Sequence, residues 1–222
     1  MIKAILFDLD DTLYNEKQFV KGGFKAVSLY ISERCNISKN AFYQTLLKIL
    51  EKKGRGHTFD IALKKFGLYK KELVTKLVQI YRNHKPQLFL YPDAYIVLSK
   101  LKNYKLGLIT DGNYRVQRKK VQALEIKDFF DVIIFTNCYG KEKQKPNLFP
   151  YQKAIEKLGV KPTETIYVGD NPYKDFIGAK KVGISTIRVL RGEYKDVRPD
   201  KTFEADYEVR NLREIIDFLS KG

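Results

Sequence analysis

Phe7-Asp8-Leu9-Asp10-Asp11-Thr12-Leu13 sets three carboxylates within four residues, directly behind an apolar run. In extended backbone, side chains two residues apart project to the same side, so Asp8 and Asp10 can face one site. Carboxylates this close repel, and they stay protonated unless positive charge compensates. A divalent cation is the simplest compensation, and hard oxygen ligands suit Mg²⁺. A single Asp or Thr here would read as a helix N-cap. Three acids and Thr12 at a strand end exceed what capping requires.

The surrounding pattern must place these groups. Ile2, Ala4, Ile5, Leu6 and Phe7 form a near-continuous apolar run, as in a parallel strand covered on both faces. Helical spacing of apolar residues then follows over 16–34, 38–50, 58–66 and 70–84, with no strand between. Gly22-Gly23 interrupts the first of these helices as a bend or hinge, and Pro86 closes the last. From Tyr91-Pro92 onward helices and strands alternate. Strands are predicted at 105–109, 131–135, 165–168, 185–189 and 207–209, and helices at 94–102, 114–124, 172–182 and 212–219. Pro146 is expected to start a further helix that runs to Leu158. This alternation predicts an α/β fold, a Rossmann-like parallel sheet sandwiched by helices, built from residues 1–14 and 89–222. Residues 15–88 form a small inserted α-helical domain. Ligands in such sheets sit beyond the carboxyl ends of the strands. Four polar clusters fall there: Asp8/Asp10, Thr110-Asp111, Lys145 and Asp170.

Composition narrows the class. The 222 residues are 44% hydrophobic and 31% charged, with a formal net charge of +16. No run approaches the roughly 20 apolar residues of a membrane span. The N-terminus turns acidic after Phe7, unlike a secretory signal, and a cytoplasmic protein is expected. Cys35 and Cys138 form no metal-ligand pattern. The basic residues are scattered, their longest clusters being Arg118-Lys119-Lys120 and 141–145, with no tail or nucleic-acid motif. This argues against a nucleic-acid partner and leaves two readings, steering of small anions or a lysine-rich surface of the heat-adapted kind. His57 and His84 lack a partner spacing for a metal.

Asp8-Leu-Asp10-Asp-Thr12, strand-end Thr110, Lys145-Pro146 and Gly169-Asp170-Asn-Pro-Tyr-Lys-Asp175 resemble, in order, the four motifs of the haloacid dehalogenase-like hydrolase superfamily. The helical insert lies where members with a helical cap carry it. The resemblance implies a Mg²⁺-dependent phosphatase acting on a small phosphorylated metabolite, such as a sugar, triose or nucleotide phosphate. By that resemblance Asp8 is the nucleophile and forms an aspartyl-phosphate. Asp10 is the general acid and base, which asks for a pKa raised relative to Asp8. Mg²⁺ would be held by Asp8, the Asp10 carbonyl and Asp170, with Asp175 binding a metal water or orienting the shell. Thr12 braces the loop, Thr110 donates to a phosphoryl oxygen, and Lys145 offsets charge. The Asp111 and Gly112 amides, with Asn113, Tyr14 and Arg55, are the remaining candidates for binding phosphate or substrate. Asn147 stands where many relatives carry an acid.

Asp10 also separates branches of the superfamily. Dehalogenases lack this second aspartate, because halide leaves without a proton. A phosphomutase or phosphotransferase keeps the same residues and remains an alternative, as does a non-catalytic basic binding module on the same scaffold.

Overall fold

The computed structural model describes residues 1–220. The chain divides into two compact units, Met1–Glu16 with Leu88–Gly222, and Lys17–Gln87.

Among the described residues, the larger unit holds six strands, β1 (Ala4–Phe7), β2 (Lys105–Thr110), β3 (Val132–Phe135), β4 (Thr165–Gly169), β5 (Ser185–Val189) and β6 (Tyr207–Val209). They lie in the order β3-β2-β1-β4-β5-β6, every pair parallel. All four residues of β1 are buried, so both of its faces are covered, as its unbroken apolar sequence predicts. The helices of this unit are α5 (Pro92–Lys100), α6 (Tyr114–Ala123), α7 (Phe149–Leu158), α8 (Pro172–Val182) and α9 (Glu214–Ser220). α7 packs on β2 and β3, and α8 on β4 and β5. Leu6, Ile109, Ile134, Tyr151, Tyr167 and Phe176 fill the space beneath them.

The sheet order reverses direction at β1, whose neighbours are β2 and β4. The chain leaves these three strands at Asp8, Asp111 and Asp170, on the same edge of the sheet. That edge is the crevice at which open α/β sheets take ligands.

The smaller unit is helical throughout: α1 (Lys17–Cys35), α2 (Lys39–Lys53), α3 (Thr58–Lys65) and α4 (Lys71–Asn83). Its own core contains Phe24, Ile31, Phe42, Leu46, Leu63 and Leu77. Here the expected interruption at Gly22-Gly23 is corrected, because α1 runs through both glycines without a break. A Cβ at Gly23 would overlap the Tyr81 ring, so this glycine serves close packing of α1 on α4.

The helix expected from Pro146 starts instead at Phe149. The Asn147 side chain accepts from the Phe149 amide at 2.8 Å and forms a turn ahead of the helix, with Pro150 in the first turn.

One ion pair ties the charged loop after β5 to the rest of this unit. Both Asp93 oxygens accept from the Arg191 guanidinium, and they also accept from the Leu212 amide at 2.8 Å and the Ala94 amide at 3.0 Å. Burial favours the neutral acid, but Arg191 and these amides together hold Asp93 below the usual carboxylate range. A carboxylate lowered in the folded state stabilises at neutral pH, and that stability disappears as pH falls through its folded pKa. Asp93→Asn should therefore cost about 1–3 kcal/mol at pH 7. Urea midpoints measured from pH 7 down to pH 3 should fall less steeply for the variant than for wild type.

Candidate active site

The site is assembled from strand ends. Asp8 follows β1 and is pinned by its amide, which donates to the Val168 carbonyl at 2.9 Å. Asp170 follows β4, and Thr12 Oγ1 donates to its Oδ1 at 3.3 Å, bringing the first and last motifs together. Asp175 lies in the first turn of α8, whose N-cap is Asn171. A Cβ at Gly169 would overlap the Asp175 carboxylate, so glycine is required at the end of β4. Lys145 is reached by the long connection after β3. Its own amide donates to Asp111 Oδ1 at 3.2 Å, and the Thr136 hydroxyl donates to the same oxygen at 2.7 Å. Asp111 thus uses its carboxylate to hold the lysine loop.

Lys145 Nζ donates to Asp8 Oδ1 at 2.5 Å, Asp175 Oδ1 at 2.7 Å and the Tyr167 hydroxyl at 2.9 Å. These three take up the three N–H donors of the ammonium, with the Ile109 carbonyl a more distant fourth acceptor at 3.5 Å. Tyr167 in turn donates to Asp175 Oδ1 at 3.0 Å, while Asp175 Oδ2 accepts from the Asn171 amide at 2.9 Å. Both Asp175 oxygens are therefore engaged by protein donors.

One carboxylate oxygen from each of Asp8, Asp170 and Asp175 lies within 4.8 Å of the others, and all three residues are buried. Burial pushes the Asp8 carboxyl up to about 8 against the pull of Lys145. Burial also raises Asp170 well above the usual range, with Asp175 and Asp8 adding to the effect. Lys145 is held well above the usual ammonium range; burial opposes this, but Asp175 and Asp8 prevail. Three buried acids lie together, and a single lysine bonds to two of them, Asp8 and Asp175. That surplus of negative charge, in an all-oxygen donor set, fits a hard divalent cation.

Asp10 departs from expectation. Its Oδ1 accepts from the Tyr14 hydroxyl at 2.5 Å and from Lys120 Nζ at 2.6 Å, and its Oδ2 accepts from Gln117 Nε2 at 2.8 Å. Burial favours its neutral form, yet the charge of Lys120 and these hydrogen bonds hold it below the usual carboxylate range. The expected order, with Asp10 raised above Asp8, is thus reversed. The reason is Lys120, a buried cation from the basic cluster Arg118-Lys119-Lys120.

The remaining candidates divide. Tyr14 is fully buried and bonds to Asp10, so it acts through that carboxylate and is not open to a substrate. Thr110, buried at the end of β2, accepts from Gln117 Nε2 at 2.5 Å. Gly112 has φ +112°, the turn conformation that glycine tolerates. Asn113 caps α6 by accepting from the Val116 amide at 3.3 Å. Arg55 belongs to the helical unit, where it lines a cavity of 280 Å³ with Arg82, His57, Phe24, Phe59 and Tyr81. Gln117, Lys120 and Tyr167 are the residues that sequence reasoning missed.

A parallel sheet with acids, threonine and lysine gathered at its switch point defines a hydrolase scaffold. Residues 5–189 match the family described as haloacid dehalogenase-like hydrolase, and the chain belongs to that family. It is 38% identical to a protein of Methanocaldococcus jannaschii named glyceraldehyde 3-phosphate phosphatase, across 99% of this chain and 97% of that one. A protein of the same name from Methanopyrus kandleri is 34% identical, again over 99% and 97%. Among solved structures, a HAD phosphatase from Thermococcus onnurineus superposes with a TM-score of 0.65 at 31% identity, covering 98% of each chain. Among the described residues, no helix is long and apolar enough to cross a membrane.

Proposed function

We propose that the protein is a Mg²⁺-dependent phosphatase that hydrolyses a small, cytoplasmic organic phosphate monoester through an aspartyl-phosphate on Asp8. The observation that carries this reading is the buried cluster of Asp8, Asp170 and Asp175, with Lys145 bonded to Asp8 and Asp175. Asp8 and Asp170, with the Asp10 carbonyl, are the residues that would hold Mg²⁺, while Asp175 orients them and Lys145. Bound there, the ion would offset the charge of the acids and of the phosphoryl oxygens.

The chain's own groups do the rest. Asp8 attacks phosphorus, and the ester oxygen leaves with a proton from Asp10. Water then attacks the aspartyl-phosphate, its proton passing to Asp10, which releases phosphate and restores Asp8. The Thr110 hydroxyl and the Asp111 and Gly112 amides bind phosphoryl oxygens, and Lys145 balances the charge that develops. Lys120, Tyr14 and Gln117 favour the charged form of Asp10, so the first step requires that it take up a proton against their pull. The helical unit is proposed to select the substrate, Arg55 included. It carries most of the +16 surplus charge, which suits attraction of anionic esters.

The names of the relatives make glyceraldehyde 3-phosphate the first ester to try. Phosphate release from a panel of triose, sugar and nucleotide phosphates should show turnover with Mg²⁺ and none with EDTA. Transfer of phosphate to an acceptor without release would identify a mutase or transferase instead. No metal-dependent turnover on any ester, with salt-sensitive binding to nucleic acid, would favour a binding module. Mg²⁺ at a hundred times its Kd should also raise stability by about 2.7 kcal/mol, seen as a higher melting midpoint.

A further inference from the structure

Gln117 and Lys120 lie three residues apart on α6, so they project from the same face. Both are buried. Gln117 Nε2 bridges Asp10 Oδ2 at 2.8 Å and Thr110 Oγ1 at 2.5 Å. Lys120 Nζ bridges Asp10 Oδ1 at 2.6 Å and Glu16 Oε1 at 3.2 Å. Together they bind both oxygens of one carboxylate and so fix its plane.

Stability alone does not ask for this arrangement. Desolvating a lysine and two carboxylates costs about as much as their attraction returns, and apolar residues of similar volume often serve as well or better. The bridge also has a directional effect. Because Thr110 Oγ1 accepts from Gln117, its own proton must point to a different acceptor.

We infer that Gln117 and Lys120 are positioning residues for the second half of the reaction. They hold the Asp10 carboxylate where it takes a proton from the water attacking the aspartyl-phosphate, and Gln117 turns the Thr110 proton toward the phosphoryl group. In that step the water oxygen bonds to phosphorus, the bond from phosphorus to the Asp8 oxygen breaks, and the water proton goes to Asp10. The inference rests on the phosphatase reading above.

The test uses 4-nitrophenyl phosphate with the intact protein and Mg²⁺. Nitrophenolate leaves without needing a proton, so phosphorylation of Asp8 depends little on Asp10, whereas hydrolysis of the phosphoenzyme depends on it fully. Lys120→Met and Gln117→Leu should each give a burst of about one nitrophenolate per enzyme and then a steady rate lowered about 10²-fold, the low end of general-base effects. KM should fall together with kcat, and mass spectrometry of acid-quenched protein should find phosphate on Asp8. Lys120→Arg, which keeps the charge, should recover part of the rate. Should Lys120→Met fail to fold, Gln117→Leu carries the test alone. A slower variant with no burst and no trapped phosphoenzyme, or one with unchanged rates, overturns the positioning role. Turnover by Asp8→Asn, run alongside, would instead overturn the phosphatase reading.

Discussion

Asp8→Asn is expected to abolish turnover, by at least about 10⁴-fold, while making the metal-free protein more stable. The first effect follows from the role proposed for the carboxylate: an amide cannot form the covalent intermediate. The second follows from the electrostatics. Asp8 is buried beside Asp175 and Asp10, and its carboxyl is pushed up to about 8 although Lys145 touches it. An acid whose folded pKa is raised loses its proton more readily in the unfolded chain. It therefore subtracts stability progressively as pH rises from about 4 to about 8. Each unit of such a shift is worth about 1.4 kcal/mol, so the total is on the order of several kcal/mol. With EDTA present, the melting midpoint of wild type should fall as pH is raised across that window, and that of Asp8→Asn should fall much less. Mg²⁺ should reverse the comparison, because the wild-type carboxylate binds the ion better than the amide does. Thermal melts at pH 5 and pH 8, with and without Mg²⁺, measure all four states. Equal slopes for the two proteins without metal would show that Asp8 is not the strained acid of this cluster.

The parts of this site that could be read from the sequence are those where an apolar run ends abruptly in polar residues. Parallel strands buried on both faces leave that signature, and their ends mark where ligands go. Asp8, Thr110 and Asp170 were legible for this reason, as was the alternation that builds the sheet. The protonation of Asp10 was not. It depends on Lys120, the last of the run Arg118-Lys119-Lys120, which reads as a solvated helix face. The fold exposes Arg118, half-buries Lys119 and turns Lys120 inward to Asp10. Three like residues in a row carry no mark of which one faces the sheet until the register of α6 is known. Tyr167 was hidden differently. Inside the buried run of β4 it looks like one more core residue, but its hydroxyl bonds to Lys145 and Asp175. The start of α7 was misplaced because Pro at the first helical turn is common, and here two prolines competed, Pro146 and Pro150.

Lys145→Met should be the most destabilising single change in the site. The side chain is 3% exposed and is the cation shared by Asp8 and Asp175, whose side chains are 10% and 1% exposed. Methionine matches the length of the lysine stem but leaves those acids, and Asp170 near them, without their central charge. Breaking a buried pair from one side costs about 3–5 kcal/mol. For a chain of 222 residues that corresponds to a melting midpoint lowered by roughly 10 °C. Arginine should not rescue it, since a planar guanidinium cannot take the place of a compact ammonium between Asp8, Asp175 and the Tyr167 hydroxyl. The interaction predicts its own compensation. Asp8→Asn removes one of the acids that Lys145 neutralises, so the double variant should recover part of the loss, with a coupling of about 1–3 kcal/mol. Added Mg²⁺ should stabilise Lys145→Met more than it stabilises wild type, because the ion brings positive charge to acids that have lost theirs. Activity should not return with stability. Lys145 is proposed to balance the phosphoryl charge as the bond to Asp8 forms, and kcat should remain about 10²–10³-fold low. Chemical denaturation of the two single variants and the double variant closes this cycle. Strictly additive losses would mean that Lys145 and Asp8 are neighbours without being partners.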